Sequence, residues 1–263
     1  MISLSSLQIE HWIGSFFWPF VRILAFLTTA PVFSATQVPI RVRVGLALLI
    51  SVALAPALPT MPPVDFFAGG GLWLLLEQIL IGTAIGFAVT LVFSAVQFAG
   101  SVISLQMGLG FSTFFDPQTG VQIPTLSNFL NLLVLLLFLS LNGQLLLLVI
   151  LDRSFVILPV SDQLTLHGEA WRTLVGAGGM IFSLGLAIAA PVLGALLLVN
   201  VALGVLSKLA PQLNLFVLGF PLLIAVGLIA LALLAPALQW IVGHLLHLSL
   251  QLSSQLLLQG AGR

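Results

Sequence analysis

Apolar residues run through this chain in long blocks, interrupted by short clusters of proline, glycine and polar side chains. A helix that crosses a bilayer needs roughly 20 apolar residues. Six blocks approach or exceed that length: residues 13–31, 44–58, 72–98, 126–151, 174–207 and 213–235. A seventh, 238–259, is apolar but carries a polar stripe. The breaks hold turn-forming residues. Pro31 and Pro39 bracket the first, Pro59-Thr60-Met61-Pro62-Pro63 makes the second, and Asp116-Pro117-Gln118-Thr119-Gly120 marks another, with proline placed where its fixed φ suits a turn. The stretch from Asp152 to Arg172 reads as the one sizeable polar loop, and Asp65, Asp116, Asp152 and Asp162 all read as loop residues. The pattern predicts an all-α fold of long apolar helical hairpins associated with a membrane.

Composition narrows this further. Hydrophobic residues make up 60% of the 263 positions and charged residues only 5%, with a mean hydropathy of +1.26. A soluble domain carries about 25% charged residues. Seven basic and seven acidic side chains are too few to coat a water-facing surface, so the helices must face lipid, other subunits, or both. A net charge of zero gives no basic face for nucleic acid. The absence of cysteine excludes disulfides and thiolate metal sites. The stretch from Met1 to Trp12 has no basic segment, and its first charge is Glu10, so the first helix is expected to stay in the mature protein. Alternating loops put Arg41, Arg43 and Lys208 on one side and Arg153, Arg172 and Arg263 on the other. That even vote under the positive-inside rule fits apolar helices that are not all simple bilayer spans.

Helix faces carry more. Gly82, Gly86, Thr90 and Ser94 recur every four residues, and Gly100, Ser104 and Gly108 continue the spacing. Such ridges of small side chains let helix backbones approach closely. Gly82 and Gly86 are therefore helix-packing positions, against the same chain on the plainer reading or against a neighbouring subunit on the sharper one. Charges inside apolar blocks are costly and point to function or to pairing. Arg22, Glu77 and Lys208 are the candidates. Arg22 and Glu77 can neutralise each other within the chain, or Arg22 can serve a partner. On the last helix, His244, His247, Gln251, Ser254 and Gln255 share one stripe. With no third ligand nearby and three or four usually required, a hydrated or subunit-facing stripe is favoured over a metal.

Catalytic signatures are absent. The sole lysine, Lys208, sits in Leu206-Ser207-Lys208-Leu209 and not in a phosphate loop, and there is neither an HExxH zinc motif nor a GxSxG elbow. No catalytic residue, cofactor or metal is expected. Two segments stand out instead. Residues 106–124 contain Gln106, Met107, Gly108, Gly110, Phe111, Phe114, Phe115 and Asp116. Three glycines and the proline at 117 disfavour a continuous helix, and irregular backbone at membrane depth survives only when buried in protein or lining a cavity. Such an apolar, bendable loop suits a plug that blocks ions by excluding water; an ordinary surface loop is the plainer reading. Around Pro211, Ser207, Lys208, Gln212 and Asn214 form a polar hairpin tip, which suits an aqueous entrance, a partner contact, or a plain solvated turn.

These segments resemble the FliR/SctT family of type III secretion export-gate subunits. The resemblance rests on Gln106-Met107-Gly108 with Asp116-Pro117 and Gly120, on Asn142-Gly143, and on Ser154-Phe155 with Pro159. It continues through Leu203-Gly204, Ser207-Lys208 and Ala210-Pro211-Gln212-Leu213-Asn214 to Gly219-Phe220-Pro221. Gln144 departs from the histidine expected after Asn-Gly. The resemblance implies a FliP-like part over residues 1–173, including the loop 106–124, followed by a FliQ-like hairpin and C-terminal helix over 174–263. It implies a conical hetero-oligomeric pore with FliP and FliQ subunits, contact with FlhB and membrane lipid, and unfolded flagellar substrates in transit. It also implies a flagellar basal body in the bacterial inner membrane. In that setting the loop helps to close the pore, while Arg22, Glu77, Lys208, Gln212 and Asn214 act as polar locks or partner contacts. The rival reading is a small-solute secondary transporter, with breaks at Pro191 and Gly108 as discontinuous helices.

Overall fold

A computed structural model describes residues 6–35, 37–58, 69–109, 125–160, 168–210 and 215–261. Its elements are α1 (Ser6–Thr29), α2 (Ile40–Leu54) with a short 3-10 turn Ala55–Ala57, α3 (Gly69–Gln106), α4 (Thr125–Ser140), α5 (Gly143–Ile157), α6 (Gly168–Ala177), α7 (Gly179–Leu209) and α8 (Leu215–Gly260). No strand occurs among the described residues. The protein is all-α. Ile40–Ala57, Gly70–Gln106, Gly168–Leu209 and Leu218–Gly260 are long and apolar enough to cross a membrane, and α4 with α5 makes a fifth if counted as one broken span.

Helix boundaries differ from the sequence pattern in four places, each with a physical cause. The apolar block 126–151 is parted at Leu141 and Asn142, where Asn142 takes a left-handed φ of 56°, a conformation that asparagine tolerates better than most residues. Asp152 is not in a loop: α5 runs on through it to Ile157. The helix stops where Pro159 disfavours helical backbone in the residue before it. The polar stretch after Leu151 is therefore helical at both ends, since Glu169 and Arg172 lie in α6. The blocks 213–235 and 238–259 form the single helix α8, with Pro221 and Pro236 inside it, and Pro191 likewise lies within an unbroken α7. Each proline removes one backbone bond, a loss that apolar surroundings with helical neighbours tolerate. The continuity of α7 through Pro191 removes one of the two breaks that the transporter reading needs.

At roughly 1.5 Å per residue, the 46 residues of α8 measure about 69 Å, against a hydrocarbon core of about 30 Å. Such a helix is more than a perpendicular span. Burial separates α3 from α8: 61% of the apolar window of α3 is buried, but only 11% of that of α8.

The chain divides into two compact units. Unit 1 comprises Met1–Leu91, Asn142–Gly178 and Leu246–Arg263. There α1 turns Trp18, Arg22 and Phe26, with Ile23 and Leu27, inward, and Ala30 just past its end continues the buried stripe at helical spacing. The first part of α3 meets α1 through glycine. A Cβ on Gly82 would strike the Arg22 carbonyl and stand 2.9 Å from the Ala25 Cβ; one on Gly86 would strike the Thr29 hydroxyl and stand 3.0 Å from the Phe26 carbonyl. One turn on, the Thr90 hydroxyl donates to the Thr29 carbonyl at 2.8 Å, satisfying one of the carbonyls that a helix end leaves open. Unit 2 comprises Val92–Leu141 and Gly179–Leu245. In it α4 buries Leu126, Leu130, Val134 and Phe138. A Cβ on Gly100 would come within 2.7 Å of the Ser127 Cα, and Phe93 meets Phe138 edge-on with centroids 5.4 Å apart. Gly185 of α7 receives Phe98 and the Ala95 carbonyl in the same manner.

Replacing Gly86 by valine puts three carbons into space held by the α1 backbone. We expect a loss of about 1–3 kcal/mol or more, the usual cost of overpacking. Leu80→Ala, at an exposed position on the same helix, should cost little. Thermal unfolding of the detergent-solubilised protein checks this; equal melting points for the two variants would contradict it.

Candidate functional site

The first cluster surrounds Arg22, which is fully buried in unit 1. Its Nε donates to the Gln78 Oε1 at 2.7 Å. Nη1 donates to the Ser154 carbonyl at 2.9 Å and to its hydroxyl at 3.2 Å, and Nη2 donates to the Leu158 carbonyl at 2.9 Å. The guanidinium carbon lies 4.3 Å from the centre of the Phe155 ring, within cation–π range. Three helices are thereby tied: α1 supplies the cation, α3 an amide, and α5 its C-terminal carbonyls. A cation at that end is also favoured by the helix dipole. The planar fork of arginine suits this, because its donors point along fixed and separate directions. Glu77, next to Gln78 on α3, is buried too. Gln78, which Arg22 hydrogen-bonds on α3, was not among the sequence candidates.

The second cluster lies in unit 2, where α3 ends. The Met107 amide donates to the Ile103 carbonyl at 2.9 Å and the Gly108 amide to the Leu105 carbonyl at 3.0 Å, so the last turn tightens. Gly108 then takes a φ of +77°, the left-handed conformation with which helices commonly end and which glycine adopts without strain. Met107 is fully buried. A Cβ on Gly227 of α8 would lie 2.7 Å from the Cγ, Sδ and Cε of Met107, and a Cβ on Gly108 would lie 2.5 Å and 2.6 Å from Cε1 and Cδ1 of Phe220. A side chain at Gly227 would require the Met107 tip to shift, and one at Gly108 would require the Phe220 ring to shift and would also meet a φ of +77°. Two motifs distant in sequence, Gln106-Met107-Gly108 and Gly219-Phe220-Pro221, therefore meet through Gly108 and Phe220. Gly227 had no sequence signal beyond being a small residue in an apolar helix. Gly110, Phe111, Phe114, Phe115 and Asp116 lie outside the described residues.

Lys208 is exposed in the last turn of α7, and the Ser207 hydroxyl turns back to the Gly204 carbonyl at 2.7 Å. Gln212 and Asn214 lie outside the described residues. On α8, His244 is exposed and stacks on Trp240, with centroids 5.6 Å apart and planes 6° from parallel. His247, Gln251, Ser254 and Gln255 are exposed along the same stripe. Among the described residues no three His, Cys, Asp or Glu side chains gather as metal ligands would.

Fold and clusters together define a membrane-embedded, all-α protein whose buried polar groups join helix to helix. Residues 13–249 match the family described as bacterial export proteins, family 1, and the chain belongs to that family. It is 45% identical over 217 residues to the flagellar biosynthetic protein FliR of Pectobacterium carotovorum subsp. carotovorum, covering 82% of each chain. Identity to the protein of the same name from Escherichia coli K12 is also 45%, over 219 residues and 82% of each chain. The Bacillus subtilis 168 counterpart is 33% identical over 205 residues, 77% of this chain and 79% of its own.

The Arg22 cluster makes a sharp prediction. Arg22→Met keeps much of the volume but leaves the Gln78 Oε1 and the Leu158 carbonyl without the guanidinium donor, while the Ser154 carbonyl keeps only the Leu158 amide. Each unsatisfied buried acceptor costs about 1–3 kcal/mol. A loss of roughly 3 kcal/mol or more is expected in denaturant unfolding of the solubilised chain. Arg22→Lys should recover less than half, because a single ammonium cannot reach all three directions. Full recovery by lysine would show that charge, and not the fork, is what matters.

Proposed function

We propose that this chain is a structural, non-enzymatic, pore-forming subunit of the flagellar type III protein export gate in the bacterial inner membrane. The observation that carries this reading is the family match over residues 13–249, joined to 45% identity with proteins named for flagellar biosynthesis. On this reading residues 1–173 are FliP-like and 174–263 FliQ-like, and the chain assembles with FliP and FliQ and contacts FlhB. Unfolded flagellar substrates pass through the resulting conical pore. The segment from Gln106 to Pro124 helps to close the channel, with Phe111, Phe114, Phe115 and Asp116 in the obstruction and Gln106, Met107 and Gly108 at its root. Arg22 and Glu77 lock the chain internally, while Lys208, Gln212 and Asn214 face a partner.

Several features support it. Exposed apolar side chains crowd α7 and α8, among them Leu198, Val201, Leu209, Leu233 and Trp240. Contiguous apolar surface of this kind calls for lipid or a sister subunit. The length of α8 exceeds what a bilayer alone requires.

Deleting residues 110–115 should open an ion leak in cells that assemble the gate, while the gate still forms. Ion-sensitive fluorescence together with recovery of the subunit complex reads both quantities. An unchanged leak with normal secretion would remove the plug assignment. Purification of the tagged chain should bring down different small hydrophobic subunits; recovery as a homo-oligomer alone would restore the transporter.

A further inference from the structure

We propose that the α7–α8 hairpin of unit 2 carries a lipid-facing belt with two defined edges, Lys208 at one and Gln239 to His244 at the other. The bilayer then ends partway along α8, and the exposed stripe beyond that point faces water. This goes beyond the export-gate reading and does not depend on it. On α8 no exposed side chain between residues 218 and 237 is polar; Leu218, Leu222, Leu228, Ile229 and Leu233 stand out from that surface. From Gln239 through Gln255 the exposed residues of the same helix are polar or aromatic. A helix that stays among apolar neighbours has no reason to change the chemistry of one continuous face, whereas a helix leaving hydrocarbon does. α7 repeats the pattern independently. Between residues 186 and 206 no exposed side chain is polar, and exposed Ser183 and Lys208 flank that stretch. At roughly 1.5 Å per residue, each belt measures about 30 Å, the thickness of the hydrocarbon core. The belts also stand side by side. α7 ends at Leu209 and α8 begins at Leu215, and a Cβ on Gly219 would lie 3.6 Å from the Leu203 Cδ1. Ser183 and Gln239 lie equally far along the chain from that contact, so on antiparallel neighbours both helices change at one level. Trp240, stacked on His244, puts an amphipathic ring where aromatic belts meet the membrane surface. Lys208, in the last turn of α7, puts a long cation at the opposite edge, a usual place for one beside lipid headgroups. A sister subunit also covers apolar surface, but nothing ties such an interface to bilayer thickness on two helices at once. Lipid does.

Nitroxide labels on single cysteines test this, because the chain has no cysteine of its own. Leu222→Cys, Ile229→Cys and Leu233→Cys sample the belt on α8, Leu198→Cys samples it on α7, and His244→Cys and Gln251→Cys lie beyond its edge, all at exposed positions. Each variant is purified with the subunits that accompany it and reconstituted into vesicles of phosphatidylethanolamine and phosphatidylglycerol. Collisions of the label with oxygen, which concentrates in hydrocarbon, are compared with collisions with a water-soluble nickel chelate. The oxygen-to-nickel ratio should peak at 229, near the middle of the belt, and exceed that at 244 and 251 by about tenfold or more, because polar reagents are excluded from the hydrocarbon core. Labels at 198, 229 and 233 shielded from both reagents would show that protein covers the belt, and would overturn the proposal. Nickel access at 229 equal to that at 244 would overturn it too, by putting the belt in water. So would a label at 251 that is oxygen-rich or doubly shielded, since the stripe is then not wet. Where a variant fails to assemble, the unaltered complex serves. A phospholipid with a diazirine at its acyl end, in the same vesicles, should mark residues 218–237 at least about fivefold more than 244–255 on the same exclusion. Equal marking, or none on either stretch, contradicts a lipid belt. Failure of the export-gate reading would show instead in which subunits accompany the chain, and leaves these ratios as they are.

Discussion

In surroundings as apolar as its own side chains, a helix gains little by hiding leucine against another helix. What holds such helices together is close approach of their backbones, with dense packing and a few hydrogen bonds across the seam. Gly82 and Gly86 meet that constraint by bringing α3 against the α1 main chain, so close that a single methyl group would collide. Thr90 then adds a hydrogen bond to the Thr29 carbonyl. The same device recurs at Gly100 against Ser127, at Gly185 against the Ala95 carbonyl, and at Gly227 against Met107. Glycine here supplies proximity more than flexibility, and among the described glycines Gly108 alone uses the left-handed backbone as well.

The polar side of the fold is sparse and concentrated. Arg22 draws an amide from α3 and two carbonyls from the end of α5 into one network. In a chain with so few charges, burying one of them completely is helped by donors directed at fixed acceptors and a face that lies on Phe155. The exposed polar groups behave differently. Lys208 sits at a helix end in the open, and the histidines of α8 line an exposed stripe, where water or a neighbouring subunit can satisfy them.

Fold class and membrane association could be read from residue types and spacing, because sixty per cent hydrophobicity is visible without coordinates, while the family was legible only through the resemblance that motifs such as Ala-Pro-Gln-Leu-Asn carry. The glycine ridge was legible as a ridge, since a spacing of four residues is a helix property. Its partner α1 was not, because nothing in a periodic pattern names the opposing face. Arg22 was legible as a costly residue, and Ser154 and Phe155 as motif positions, but their meeting depends on 132 intervening residues folding back. Pro236 and Asp152 misled for one reason: local rules treat proline and charge as boundaries, whereas a long apolar helix absorbs either when its neighbours keep packing. Gly227 carried no signal at all, since its significance lies in what Met107 brings to it.

The wiring of Arg22 has a consequence for the birth of the protein. Its amide partner lies 56 residues downstream and its carbonyl partners 132 and 136 residues downstream. At a ribosomal pace of roughly 5–20 residues per second, the carbonyls emerge about 7–27 seconds after the arginine. A lone guanidinium in hydrocarbon is expensive, so the nascent first helix must wait near the wet boundary until α5 arrives. Final seating of the opening segment is therefore a late event in biogenesis, although that segment is made first.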